Sequence, residues 1–116
     1  MNKFEAGFRG EKIAEKYLLS NGYVILERNF RLRSGEIDII ACENSSGYIV
    51  FVEVKYRANA DFGFPREAVG GAKQQKIHKT AMFYIVKNKL ENRDFRFDVI
   101  EILGNETNHI ENAFWV

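Results

Sequence analysis

Residues 35 to 57 read GEIDIIACENSSGYIVFVEVKYR, two apolar, β-branched runs joined by a segment dense in turn residues, and this stretch constrains the fold more than any other. The link Glu43-Asn44-Ser45-Ser46-Gly47 is short enough to make Glu36 to Cys42 and Tyr48 to Val54 antiparallel hairpin partners. A strand buried on both faces should be an unbroken series of Val, Ile, Leu and Phe, yet acids interrupt these runs at alternate positions. Alternation sets Glu36 and Asp38 on one face, and Glu53 and Lys55 on one face. Half-buried carboxylates without a partner are costly, so three acids and a lysine in such strands ask for a cation.

The flanking segments supply helices and further strands. Phe4 to Ser20 is rich in helix formers and stops at Asn21-Gly22. Its helical periodicity lines up Phe4, Phe8, Glu11, Glu15 and Leu18, with Gly7 and Ala14 beside them and Ile13 and Tyr17 on the far side. Glu11 thereby falls inside an apolar stripe and is assigned to the site, whereas Glu15 reads as an ordinary surface pair with Lys12 or Lys16. Tyr23 to Arg28 is a strand, and Asn29 to Ser34 a polar connection that holds Arg31 and Arg33, beside Arg28, at the edge of the acidic strand. Asn59 to Pro65 is a loop, and a helix follows from about Arg66 to Asn88 with Ala68, Ile77, Ala81, Tyr84 and Ile85 at helical spacing. Lys73 shares a side with Ile77, Ala81 and Tyr84 and points toward the strand charges, while Lys76 and Lys79 read equally well as a solvated face. Phe95 to Leu103 alternates as a strand, and Ile110 to Val116 is a last edge strand whose Phe114 and Trp115 suit a core or an interface.

The expected fold is α/β, in the order α-β-β-β-α-β with a C-terminal edge strand. A strand, crossover helix, strand unit returns the last main strand parallel to a neighbour, which gives a mixed sheet with helices against it. The 116 residues suit a single domain, 1–116. No apolar run approaches the roughly 20 residues of a spanning helix and the start lacks a signal-peptide core, so a cytoplasmic location and no membrane partner are expected. The single Cys42, with only His78 and His109, offers neither an internal disulfide nor zinc-ligand spacing. Net charge is only +1, but residues 28–89 hold eleven Lys and Arg against six Asp and Glu, so the segment around the acids is basic.

Carboxylates from adjacent strands, with a main-chain carbonyl and water, suit a hard divalent cation such as Mg²⁺ or Mn²⁺. Asp38 and Glu53 are the ligands of choice, with Glu11 an outer ligand through water and Lys55 placed to orient water or stabilise charge on a phosphate. Arg28, Arg31, Arg33, Arg57 and Lys73 would hold flanking phosphates of a nucleic acid. Metal, water and ammonium together describe phosphodiester hydrolysis.

GEIDIIA, FVEVKYR, the helix around Lys73 and RFDVIEI, preceded by GEKIAEKYL and GYVILERNFR, resemble the YraN-like family of small bacterial proteins from about Gly10 to Ile102. That family is similar to the PD-(D/E)XK nuclease superfamily with its restriction endonuclease-like core, and most nearly to the archaeal-type Holliday junction resolvases. The resemblance implies Asp38 as the first acid, Glu53 as the second, Lys55 as the lysine and Glu11 as the helical glutamate of resolvases. Ile37 stands where the superfamily pattern often has Pro, and Glu36 matches no essential position, which leaves it a secondary ligand or a pocket-edge acid. The implied activity is a metal-dependent endonuclease acting on DNA, branched or recombination intermediates included, and junction cutting would want two sites and hence a homodimer. The competing expectations are a non-catalytic nucleic-acid-binding module that retains a nuclease-like site, and an interaction protein without nucleic-acid affinity.

Overall fold

The chain runs α1 (Lys3–Ser20), β1 (Tyr23–Leu32), β2 (Gly35–Glu43), β3 (Ile49–Arg57), α2 (Gly71–Lys87), β4 (Phe95–Leu103) and β5 (Glu106–Ile110). The computed structural model describes residues 3–57 and 70–114, with side chains described over 9–56 and 70–114. The loop expected over 59–65, the helix start expected at Arg66, Ala68, Trp115, and the side chains of Phe4, Gly7, Phe8 and Arg57 lie outside the described residues. Among the described residues no helix is long and apolar enough to cross a membrane.

The strands form one mixed sheet in the order β1-β2-β3-β4-β5. β1, β2 and β3 make the antiparallel meander, and α2 crosses over to return β4 parallel to β3, with Ile49 opposite Phe95 and Lys55 opposite Glu101. Each face carries a helix. On one, Ala14 and Leu18 of α1 pack with Ile39, Val50, Val52 and Ile100; on the other, Ile77, Ala81, Tyr84 and Ile85 of α2 pack with Ile37, Ile40, Phe51 and Phe97. Coverage on both sides is why β3 buries Val50, Phe51 and Val52 in succession instead of alternating.

β1 continues through Asn29 and Arg31 to Leu32, where the sequence pointed to a connection. It is an edge strand, so its polar residues meet water at little cost while Phe30 still reaches the α2-side core. The turn shrinks to Arg33-Ser34, since Leu32 pairs with Gly35. The last strand is Glu106–Ile110 and not 110–116, because Gly104-Asn105 closes a tight turn with Leu103 opposite Glu106 and Gly104 at φ 63°.

The buried line of α1 runs through Gly10, Ala14 and Leu18, not through Glu11 and Glu15, which lie half-buried on its flank. Ile13 and Tyr17, expected on the far side, pack against the same core. Small residues let the helix come close. A Cβ on Gly10 would stand 2.8 Å from Tyr56 Cβ on β3.

Candidate functional site

The β2–β3 ladder ends at Ile39 opposite Val52, one residue short of bringing Asp38 opposite Glu53. Beyond that point Asp38 Oδ2 accepts a hydrogen bond from the Val54 backbone N–H at 2.8 Å, so a side chain takes over where the main-chain partner is lost. Strict alternation also fails here. Ile37 and Ile40 both belong to the α2-side core, while Ile39 and Ala41 belong to the α1 side. At this slip Asp38 lines two cavities, one of about 140 Å³ shared with Glu11, Arg28 and Asn29. The other, about 230 Å³, it shares with Glu36, Glu53, Lys73 and Lys76. The expected pairing of Glu36 with Asp38 therefore survives only in the second cavity.

Glu53 follows Phe51 on the α2 side and is buried. Lys73 of α2 donates from Nζ to Glu53 Oε1 at 2.8 Å, and Lys55 Nζ stands 3.4 Å from the same oxygen. Burial, and after it the charge of Glu53, pushes the Asp38 carboxyl up to about 7, against the pull of the Val54 N–H. Burial also raises Glu11, with Glu36 and Glu53 adding repulsion and a hydrogen bond from Asn29 opposing it. The Lys55 ammonium is lowered by burial and by Lys73 beside it, although Glu53 works the other way. Burial is the largest influence on Lys73 and opposes its charge, but the hydrogen bond to Glu53, the contact with Lys55 and the charges of Glu53 and Asp38 together outweigh it and raise it.

Among the described residues no three His, Cys, Asp or Glu side chains converge closely enough to hold a metal ion by themselves. Asp38 and Glu53 are the two carboxylates that a hard cation could take, the remaining oxygens coming from main chain and water. The donor set fits such a cation in one respect. The Asp38 carboxyl is held up near neutrality by burial and a negative neighbour, and a positive ion there would relieve both.

The arginine rim is partly neutralised by the chain itself. Arg28 grips Glu15 with both Nε and Nη2, so a strand arginine joins Lys12, whose charge also acts on Glu15, as its partner. Arg31 bonds Glu36, its cross-strand neighbour, at 3.1 Å, which makes Glu36 a paired acid at the cavity edge. Arg33 is exposed in the turn, and Lys79 is exposed on α2. Lys76 is exposed as well but lines the larger cavity with Lys73, so of the two lysines that read equally well as a solvated face one also borders the site.

Sequence patterns gave no role to some residues of this region. Thr80 is fully buried, stands 2.6 Å from Ser34 Oγ and donates to the Lys76 carbonyl, which clamps the β1–β2 turn to α2. Its place one turn after Ile77 was the available signal. Asn29 has φ 51° inside β1, for which sequence alternation gives no sign. Farther along the sheet, Arg96 bonds buried Asp98, whose Oδ2 lies 2.6 Å from His109 Nε2, and Tyr17 Oη lies 3.1 Å from His109 Nδ1.

The profile of the uncharacterised protein family UPF0102 matches residues 10–102, a span that contains Glu11, Asp38, Glu53, Lys55 and Lys73. A UPF0102 protein of Clostridioides difficile (strain 630) is 53% identical over 116 residues, covering 98% of this chain and 100% of the relative. A UPF0102 protein of Clostridium acetobutylicum is 50% identical, covering 100% of this chain and 98% of its own. One from Persephonella marina is 49% identical, with 93% and 91% covered.

Proposed function

This chain belongs to the uncharacterised protein family UPF0102, and we propose that it is a divalent-metal-dependent nuclease that hydrolyses phosphodiester bonds in DNA. The observation that carries this reading is that Asp38 and Glu53 line one cavity at the parting of β2 and β3, with Lys55 3.4 Å from Glu53. Asp38 and Glu53 would hold Mg²⁺ or Mn²⁺, with Glu11 reaching it through water. A bound cation of this kind supplies Lewis-acid polarisation of a phosphoryl oxygen and a more acidic water. Lys55, with its proton loosened by burial, is suited to orient the attacking water or to donate a hydrogen bond to charge growing on phosphate. Lys73, Lys76 and Arg33, with Arg57, would hold flanking phosphates without reading sequence. The resolvase likeness of the sequence directs the substrate toward branched or recombination intermediates in the cytoplasm, whose paired cuts ask for a homodimer.

The test is a cleavage panel of single-stranded, duplex, flap and four-way DNA in Mg²⁺ and Mn²⁺. Cutting by the wild type that is lost in Asp38→Ala, Glu53→Ala and Lys55→Ala supports the reading. Cutting that persists in the acid variants sinks it.

A second reading has its own observation. Lys73 and Lys55 both approach Glu53 Oε1, so this carboxylate is partnered without any metal. That favours a non-catalytic nucleic-acid-binding module, and metal-independent, salt-sensitive binding with no turnover across the panel would select it.

A further inference from the structure

We propose that Asn29 is a positioning residue whose side-chain amide holds the Glu11 carboxylate beside Asp38. The inference rests on the nuclease reading only in naming what Glu11 is held for. Asn29 lies between Arg28, opposite Ile39, and Phe30, opposite Ile37, which puts it across from Asp38 on the neighbouring strand. Asn29, Glu11 and Asp38 line one cavity, which brings the exposed Asn29 amide to the same opening as the Glu11 carboxyl.

Glu11 needs such a partner. It sits half-buried on the flank of α1 and feels the charges of Glu36 and Glu53, while Asp38 in turn feels Glu11. Repulsion of this kind would turn a helix-flank carboxylate out to water. Of the two cations that line this cavity, Arg28 and Lys12, Arg28 is engaged by Glu15.

The backbone narrows which residue can do this. At φ 51° the position favours Gly, Asn or Asp. Gly has no donor and Asp would add a further negative charge, so Asn alone of the three tolerates the conformation and supplies a neutral N–H. Left-handed residues within a strand redirect their side chains, and such strained positions persist where the surroundings over-determine them, often at functional sites.

The test is thermal unfolding of four metal-free proteins at pH 8: wild type, Asn29→Gly, Glu11→Ala and the double variant. Asn29→Gly keeps the left-handed backbone and removes only the amide. The expected result is a Tm change on Asn29→Gly that is roughly 3–6 °C more unfavourable in the wild-type background than beside Glu11→Ala. Equal changes in both backgrounds overturn the proposal. Asn29→Asp, of the same shape but without the donor, should fall further than Asn29→Gly; a Tm equal to wild type overturns it as well. In Mn²⁺, Asn29→Gly should need about tenfold more metal than wild type for half of its stabilisation, a change that a purely structural role would not produce. A wild type that Mn²⁺ does not stabilise would remove the metal-site reading, while the four metal-free proteins would still decide whether Asn29 holds Glu11.

Discussion

Lys73 Nζ of α2 lies 2.8 Å from Glu53 Oε1 of β3, across twenty positions of the chain. The acid's side chain is 8% exposed and the base's 42%, so the contact joins a buried carboxylate to an ammonium that water still reaches. The second helix is thus tied to the sheet through the candidate site, and a divalent cation at Glu53 would compete with Lys73 for the same oxygen.

Lys73→Ala should therefore separate structure from binding. A hydrogen bond between charged groups contributes about 1.5–3 kcal/mol, and the exposure of Lys73 reduces this to roughly 1 kcal/mol. That corresponds to a Tm fall of about 4 °C by calorimetry. Without nucleic acid, Mn²⁺ should bind more tightly because its competitor is gone. In DNA binding, the slope of log affinity against log salt should drop by about one unit. An unchanged slope would mean that Lys73 meets no phosphate.

The Asp38 carboxyl carries a pH signature. Burial, and then Glu53, hold it up to about 7, above its ordinary 3.8, so the folded chain keeps a proton that the unfolded chain releases. Its stabilising contribution is complete below pH 3.8 and is lost as pH rises through about 7. At about 1.4 kcal/mol for each unit, that loss is at most on the order of 4 kcal/mol. Asn at this position still accepts from the Val54 N–H but carries no charge. Urea unfolding at pH 5 and pH 8 should show Asp38→Asn gaining on wild type as pH rises, by about 1–3 kcal/mol at pH 8. A gap between the two proteins that does not move with pH would refute the assignment. Mn²⁺ affinity of the wild type should climb with pH over the same window, since binding must displace the proton.

The meander and the parallel return of β4 were legible because their signals are local: the turn residues after Cys42 and the alternation in RFDVIEI. The convergence of Lys73 on the strand charges followed from helical spacing alone. The slip at Asp38 and Ile39 was not legible, because strict alternation assumes a regular ladder, and here a carboxylate replaces the main-chain partner of Val54. The Arg28–Glu15 pair was hidden for a different reason, since it joins strand and helix and depends on which side of α1 is buried. Alternation did put Arg96 and Asp98 on one face, but it carried no sign that this face is closed to water.

Arg96 and Asp98 should dominate the stability of their end of the sheet. Asp98 is 0% exposed, and it takes Arg96 Nε at 3.0 Å, the Asn112 backbone N–H at 3.1 Å and His109 at 2.6 Å. Arg96→Ala leaves that carboxylate with a weaker set of partners and should cost about 3–5 kcal/mol. Arg96→Met combined with Asp98→Leu removes both charges at similar volume but leaves Glu43, His109 and the Asn112 N–H without them, so it should recover only part of the loss. Urea midpoints at constant slope measure both. A single variant that loses less than about 1 kcal/mol would show that the pair contributes little.

Gly10→Ala sets two known effects against each other. Inside a helix, Ala is favoured over Gly by about 1 kcal/mol, so propensity alone makes the change stabilising. The new Cβ, however, would stand 2.8 Å from Tyr56 Cβ, 3.4 Å from Tyr56 Cγ and 3.6 Å from Val54 Cγ1. Tyr56 Cβ is fixed to the backbone of β3 and cannot swing aside, so α1 itself has to lift. Overpacking of this kind costs about 1–3 kcal/mol, which exceeds the gain from propensity and leaves a net loss of up to about 2 kcal/mol. The effect on the site should be larger than on the fold, because Glu11 is the next residue and moves with the helix away from Asp38. Urea unfolding, paired with Mn²⁺ affinity and the rate of DNA cleavage, distinguishes the two. Stabilisation by about 1 kcal/mol with metal affinity unchanged would mean that the close approach of α1 to β3 does not govern the site.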